Sequence, residues 1–375
     1  FIPTLKEIPS DVKMKSHQLM IRSGMIRQET SGIYTWLPLG CRVLKKIIKK
    51  IEFFHDNDEV NQILMPTIQS ADIWKISNRY DTYGKEMLRI SDRHKKELLY
   101  GPTNEEMITA IGKQYIKSYK SLPRKFYHIQ NKFRDEIRPR YGVMRAREFL
   151  MKDAYSFDID EKSGEKTYKQ FFNLYLKIFK DLNIPIITVR APSGEIGGDL
   201  SHEFHLIVQS GESDIFINEN IIDENYHDLS LSEILNLETY TDEYYEQLNE
   251  SAKLKSCKSI ELGHIFLFGS KYSSSFKFEI DADSKKIKPF MGSYGIGISR
   301  IPAAIIESSH DSDGIVWDKA ISPFNVELIN LLPDDSECNI FCENLYNELV
   351  HNGVDILFDD RNERPGKKFS DADLI

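Results

Sequence analysis

Two period-two runs dominate the middle of the chain. "FYHIQNKFRDE" spans Phe126 to Glu136, and "REFLMKDAYSF" spans Arg147 to Phe157. Between them lies "IRPRYGVMRA", with Pro139 and Gly142. A period of two sends neighbouring side chains to opposite faces, and Pro and Gly punctuate strands. The pattern therefore predicts an antiparallel hairpin with a long loop. The hairpin is also charged. Arg124 to Lys152 holds nine Lys or Arg and three acids, a net +6 in a chain whose formal net charge is −9. Net acidity argues against general coating of nucleic acid, so any polyanion site has to be a local patch.

At 375 residues the length allows two or three domains. No apolar run approaches the roughly 18 residues of a membrane span, and no secretory signal opens the chain. The first residue is Phe1 rather than Met, and the native N-terminus is expected to lie elsewhere. Cys41, Cys257, Cys338 and Cys342 form no CxxC pair. Reduced thiols in a cytoplasmic protein are the expectation.

Apolar residues from Cys41 to Phe54 recur at helical spacing, with lysines on the remaining face. "NQILMPTIQ" holds Pro66 and reads as an edge strand or a strand end. Glu105 to Tyr119 and Lys166 to Leu182 read as helices, and "NIPIITVRA" as a strand. Glu219 to Glu250 carries ten acids and no Lys or Arg. It is expected as a surface insertion, about 215–256, with two short helices. "IELGHIFLFGSKYSSSFKFEI" predicts strand, turn, strand, and "KPFMGSYGIGISRIPAAIIESS" predicts strand, glycine turn, helix. After Pro323 a strand, a helix (Glu337 to Asn352) and a strand (Val354 to Phe358) start a βαβ unit. The expected domains are 1–322 and 323–375, with the second cut short by the end of the chain.

The motifs exclude several chemistries. No GxxxxGK[ST] is present, so there is no P-loop. "HEFH" puts His202 and His205 three apart, on opposite faces of a strand. It is also one residue short of HExxH, so zinc is not expected. "GSYGIGISR" has Gly295 and Gly297 but Arg300 in place of a third glycine. A dinucleotide-binding oxidoreductase would need a βαβ unit around it, and the preceding chain reads as hairpins. Thr103 in "GPTNEE" is placed to cap the next helix. Arg134 and Glu136 share a face, and the planar fork of arginine matches phosphate oxygens. Glutamate accepts from an amino group, and Phe149 offers a ring for a flat base. On charge alone, a surface hairpin with ion pairs is the favoured reading.

The ordered motifs decide between them. "FRDE", a loop and "RAREF" are similar to motif 2 of class II aminoacyl-tRNA synthetases. "GIGISR" is similar to motif 3, and the long helix before "LMPT" is similar to motif 1. "SHQLMIRSGMIR", "SGIYTWLPLG", "GPTNEE", "KFRDEIRPRYGVMRAREFLMKDAYSFD", "IGGDLSHEFH", "GHIFLFGSKYS" and "DDRNERPGKKF" resemble the bacterial prolyl-tRNA synthetases, over nearly the whole chain.

The resemblance implies an α+β fold: a class II antiparallel catalytic sheet flanked by helices, with a small C-terminal α/β anticodon-binding domain. It implies ATP-dependent activation of L-proline and transfer to tRNA(Pro), with Mg²⁺, by a homodimer joined at motif 1. By position, Arg134 would hold the α-phosphate and the proline carboxylate. Glu136 would meet the adenine amino group, Arg145 the outer phosphates, Phe149 the adenine face, and Arg300 the γ-phosphate. Thr103 and Glu105 would hold the imino nitrogen. Glu261 and His264 would lie near ATP, with Glu261 at the metal. Arg138, Arg140, Arg361 and Arg364 would face tRNA.

Two departures carry expectations. Asn104 stands where the family has His. It should point away from Thr103 and Glu105, so the exchange is expected to cost little. Only about 45 residues separate "GESD" from "GHIF", too few for the large editing domain of many bacterial relatives. Alanine fits a proline pocket, and a missing methylene gives only about 1–3 kcal/mol of discrimination. A separate factor that clears mischarged tRNA is therefore expected. The rival readings are a synthetase-like paralogue without catalysis and a class II enzyme for another amino acid.

Overall fold

The computed structural model describes residues 1–7, 12–194, 200–218, 232–233, 236–248, 254–283 and 285–375. A nine-stranded sheet organises the chain. In chain order its strands are β1 (Asn61–Gln62), β2 (Arg124–Phe133), β3 (Glu148–Asp158), β4 (Ile186–Arg190), β5 (Leu200–Ile207), β6 (Ser213–Ile217), β7 (Thr239–Thr241), β8 (Lys255–Gly269) and β9 (Phe290–Ile296). Their spatial order is β5-β4-β7-β6-β8-β9-β3-β2-β1. All pairings are antiparallel except the edge pair β1–β2 and one bridge between β7 and β4.

The hairpin predicted from periodicity is β2–β3, in register from Arg124 opposite Phe157 to Phe133 opposite Glu148. Its first strand ends at Phe133, three residues earlier than the alternation suggests. There Glu136 N donates to Arg134 O at 2.7 Å and folds the chain inward. Strand β8 is long because it serves two partners on one edge. Ser259–Leu267 meets β5 and Lys255–Ser259 meets β6, while β9 lines its other edge.

Helix Glu161–Asp181 covers one face of the sheet. It starts five residues before the predicted Lys166, because Asp160 accepts from Ser163 N at 2.9 Å and caps the first turn. Its Phe171 stacks on Tyr294 of β9 at 3.8 Å, and Tyr168, Tyr175 and Ile178 extend the same apolar stripe. Beside it runs helix Pro38–Asn57, which buries Val43, Ile47 and Ile51 at helical spacing. Helix Glu105–Tyr115 caps part of the other face. It stops four residues before the predicted end, where Ile116 turns extended and Ser118 bridges Asp281.

Three further expectations are corrected. Thr103 does not cap helix Glu105–Tyr115; the N-cap position is Asn104, without a side-chain cap bond. The turn after β8 is a short helix, Lys271–Ser275, and the next strand begins only at Ile280. Parts of the insertion expected at about 215–256 are not on the surface. Strands β6 and β7 join the sheet and bury Ile215, Ile217 and Thr239. Between them, residues 219–231 lie outside the described residues, and helix Asp242–Leu248 follows β7.

After Pro323, Val326–Ile329 and Ile356–Asp359 pair in parallel around helix Ser336–His351, followed by helix Pro365–Leu374. Asp355 of this unit is gripped from helix Pro38–Asn57 by Lys46 Nζ at 2.8 Å and by Arg42. Among the described residues, no helix is long and apolar enough to cross a membrane.

His202 and His205 face opposite sides of β5, as the spacing requires. His202 accepts or shares the Tyr168 hydroxyl proton at 2.7 Å under the covering helix, while His205 turns to Glu203. Burial first, then the charges of Arg190 and His264, push His202 down to about 3. Below about pH 6.5 the unfolded chain takes up a proton that folded His202 refuses. Stability then falls with pH by up to about 1.4 kcal/mol per unit from this group. In urea titrations, the gap between wild type and His202→Phe should therefore narrow from pH 6.5 to pH 5. A constant gap would show that His202 charges in the folded state.

Candidate active site

A single row of paired residues crosses the sheet: His128 of β2, Asp153 of β3, Gly295 of β9, His264 of β8 and Glu203 of β5. Residues directly opposite in paired strands share a face, so one face of the sheet carries all five. Gly295 sits in the middle, and its missing side chain leaves a trough. A Cβ there would meet Met151 Cε at 2.4 Å.

Over this trough lies a cavity of about 340 Å³, lined in part by Arg134, Glu136, Arg145, Phe149, Glu261, His264 and Arg300. The Arg134 guanidinium sits 5.4 Å over the Phe149 ring and points Nη2 at Pro102 O, 3.4 Å away. Tyr83 first, then Glu261, Glu105 and Glu86, hold it above its ordinary pKa against desolvation. Arg145 Nε bonds Glu136 Oε2 at 2.9 Å, and Arg138 N bonds Glu136 Oε1 at 3.0 Å. Burial raises the Glu136 carboxyl, but these contacts outweigh it and leave it below the usual range.

Arg300 starts helix Arg300–Ser308, just past the glycines. It donates to Met144 O at 3.0 Å and to Glu261 O at 2.6 Å, with Glu261 Oε2 at 3.4 Å. His264 Nε2 is 2.8 Å from Ser201 Oγ, which turns Nδ1 toward Glu203 Oε1 at 3.3 Å and Glu261 Oε1 at 3.7 Å. Glu203, Glu261 and His264 present ligand atoms within 4.8 Å of one another. Burial opposes the Glu261 charge, yet His264 and Arg300 hold its carboxyl well below the usual range.

A second cavity, about 420 Å³, adjoins the first. Arg134, Glu261, His264 and Ser213 line both, while Thr103, Arg79 and His205 line only the second. Thr103 Oγ1 donates to Glu105 Oε2 at 2.6 Å, and Ser293 Oγ donates to Glu105 Oε1 at 3.0 Å. Because the hydroxyl proton of Thr103 is committed to Glu105, the lone pairs of its oxygen remain to accept.

Residues 88–309 match the tRNA synthetase class II core domain (G, H, P, S and T), and residues 321–375 match the anticodon binding domain. Over its full length the chain is 52% identical to a proline–tRNA ligase of Zymomonas mobilis, of which it covers 88%. It is 51% identical to one of Bartonella henselae, of which it covers 89%. The chain belongs to the proline–tRNA ligase family. The alignment with the first relative runs over 390 positions against 375 residues here, which leaves room only for short insertions. A crystal structure of prolyl-tRNA synthetase from Cryptosporidium parvum complexed with L-proline and AMP shares the fold. Its TM-score is 0.74 at 18% identity, over 96% of this chain and 66% of that one. A second from the same organism, complexed with halofuginone and AMPPNP, gives a TM-score of 0.75 at 18% identity, over 95% and 67%.

In this member of the family, the residues picked from motifs 2 and 3 meet in one cavity, with Thr103 in the adjoining one. Glu105 is 1% exposed and already bonded on both carboxylate oxygens. Arg138 and Arg140 are exposed on the motif 2 loop. Arg361 is tied to Asp359 at 2.7 Å and Asp371 at 3.0 Å, whereas Arg364 lines a cleft of the C-terminal unit with Leu332 and Asn362. Sequence reasoning missed Glu203 and Arg79. Glu203 stands inside the quoted "HEFH", but its place depends on pairing with β8. Arg79 carries no local pattern at all.

Asn104 lines neither cavity, as expected. Its amide enters a buried hub, with Nδ2 2.7 Å from His128 Nε2 and 3.3 Å from Asp153 Oδ2. Lys132, fully buried, reaches the same Asp153 oxygen at 3.1 Å. Burial holds the Lys132 ammonium below its ordinary pKa, and Asp153 offsets this only in part. Asp153→Asn would strand that ammonium, so urea unfolding should show a loss of about 3–5 kcal/mol. An unchanged midpoint would mean that Lys132 is neutral in the native protein.

Proposed function

We propose that the chain activates L-proline with ATP to prolyl-adenylate and then transfers the prolyl group to tRNA(Pro). The observation that carries this reading is the position of Arg134, which lines both cavities. The first suits a nucleotide: Phe149 and the bare backbone of Gly295 line it together with Arg145 and Arg300. The second suits a small amino acid, with Thr103 on its lining and the buried Glu105 carboxylate bonded directly behind that hydroxyl. The arginine between them is where a carboxylate and an α-phosphate would meet.

The chemistry asks little of titrating groups. A proline carboxylate oxygen attacks the α-phosphorus, the bond to the β-bridging oxygen breaks, and pyrophosphate leaves. Positioning and charge stabilisation dominate such transfers. Arg134 would hold the carboxylate and the α-phosphate, and Arg300 the γ-phosphate. Arg145 would exchange Glu136 for the outer phosphates, which frees Glu136 for the adenine amino group. The secondary ammonium has two N–H donors, which Thr103 Oγ1 and the remaining lone pair of Glu105 Oε1 can accept. In the second step the terminal ribose hydroxyl of tRNA attacks the activated carbonyl, and AMP leaves. Arg138, Arg140 and Arg364 would steer the polyanion.

Glu261 and Glu203 offer the hard oxygen ligands that suit Mg²⁺ bound together with phosphate oxygens, and His264 keeps them apart. When bound, the ion would neutralise phosphate charge. A homodimer is supported by the motif 1 segment, where Phe53 and Leu64 are exposed. A cytoplasmic location fits the four free cysteines. The chain between β6 and β8 is too short for an editing domain, which supports clearance by a separate factor.

Charging of a tRNA(Pro) transcript tests the proposal. The purified chain should charge proline, and Arg134→Ala should lose about 10²- to 10³-fold in kcat/KM. Alanyl-tRNA(Pro) should accumulate with the purified protein alone. Charging that survives Arg134→Ala would remove Arg134 from its role, and lack of alanyl product would remove the need for a separate factor.

A further inference from the structure

Arg79 is the least expected charge near the cavities. It is 4% exposed, and its Nη1 lies 3.1 Å from Glu105 Oε2, 3.1 Å from Glu106 Oε1 and 3.2 Å from Glu106 Oε2. The rings of Trp74, Tyr83 and Tyr272 surround its guanidinium at 5.0, 5.4 and 5.7 Å. It also lines the second cavity, beside Thr103 and Arg134. An arginine taken out of water needs strong partners, and here two adjacent carboxylates share it. Glu106 is further held by Ser77 Oγ at 2.7 Å and touches neither cavity.

We infer that Arg79 and Glu106 are positioning residues that set both the direction and the charge of Glu105 toward the substrate's ammonium. This rests on the proposed proline activation. Two effects follow from the geometry. Arg79 occupies Glu105 Oε2 together with Thr103, which leaves the second lone pair of Oε1, beside the Ser293 hydroxyl already bonded there, to receive the substrate. Glu106 divides the arginine's charge. One cation between two carboxylates leaves the trio one positive charge short, and the secondary ammonium supplies it. If Arg79 faced Glu105 alone, it would neutralise the carboxylate that the substrate needs. The aromatic walls raise the stakes by excluding water, since charge contacts strengthen in a low-dielectric setting.

A merely structural role would weaken all ligands together, so the test compares ligands. Proline-dependent ATP–pyrophosphate exchange gives KM for L-proline and for ATP. Competition by tetrahydrofuran-2-carboxylate, which has oxygen in place of the imino nitrogen, gives Ki for a ligand without the ammonium. In Arg79→Met the proline KM should rise about 10- to 100-fold, the scale of a lost charge-assisted hydrogen bond. The ATP KM and the oxygen analogue's Ki should stay within about twofold, and Arg79→Lys should recover part of the loss. Glu106→Gln lies away from both cavities and should raise the proline KM about 3- to 10-fold, with the analogue again unmoved. Equal shifts for proline, analogue and ATP, or an unchanged proline KM in folded Arg79→Met, would overturn the inference. If Arg79→Met does not fold, an unchanged proline KM in Glu106→Gln overturns it alone. Absence of exchange in the unsubstituted chain would instead overturn the activity on which the inference rests.

Discussion

The pairing of β8, β9, β3 and β2 in one fixed register is the constraint on which the site depends. The groups that must meet are far apart in sequence: Arg134 and Phe149 on the hairpin, Glu261 and His264 on β8, Gly295 on β9 and Arg300 just after it. A slip of one residue in any of these pairings would turn a whole set of side chains to the opposite face. The aromatic stripe of helix Glu161–Asp181 guards against such a slip. Phe171 can stack on Tyr294 only while Gly295 faces the first cavity and Ser293 faces Glu105. Packing behind the sheet and chemistry in front of it are thus one specification.

Buried charge is arranged in small neutralised groups beneath the cavities. Lys132 answers Asp153, and Arg79 is shared by Glu105 and Glu106. Each group is costly to break, because a single buried charge left behind is worse than none. The same logic explains why Arg134 differs. It takes a carbonyl and an aromatic face rather than a carboxylate as its near neighbours. Its charge is left available for anionic groups entering from either cavity.

Much of this was legible in the sequence. The period-two runs around Pro139 and Gly142 required the hairpin, and the motif order placed Arg134, Glu136, Phe149 and Arg300 in one site. What stayed hidden followed physical rules that act across sequence distance. Glu203 matters because β5 pairs with β8 more than fifty residues later, a register no local pattern encodes. Arg79 looks like any surface arginine until the fold brings two carboxylates and three rings around it. The insertion expected at about 215–256 read as solvated because its charge count hides the few apolar positions at its start, Ile215 and Ile217, that enter the sheet. The contact of Asn104 with His128 across the hub was likewise invisible, because it joins separate segments of the chain.

Amino-acid-dependent ATP–pyrophosphate exchange by the purified chain, run across all twenty amino acids with Mg²⁺, addresses the central claim most directly. Joined cavities meeting at Arg134 require exchange with proline, weaker exchange with alanine and little with larger or β-branched amino acids. A folded chain that binds tRNA(Pro) but exchanges with no amino acid would contradict the account and leave a noncatalytic relative of the family. Strongest exchange with another amino acid would instead contradict the assignment of the Thr103–Glu105 pair.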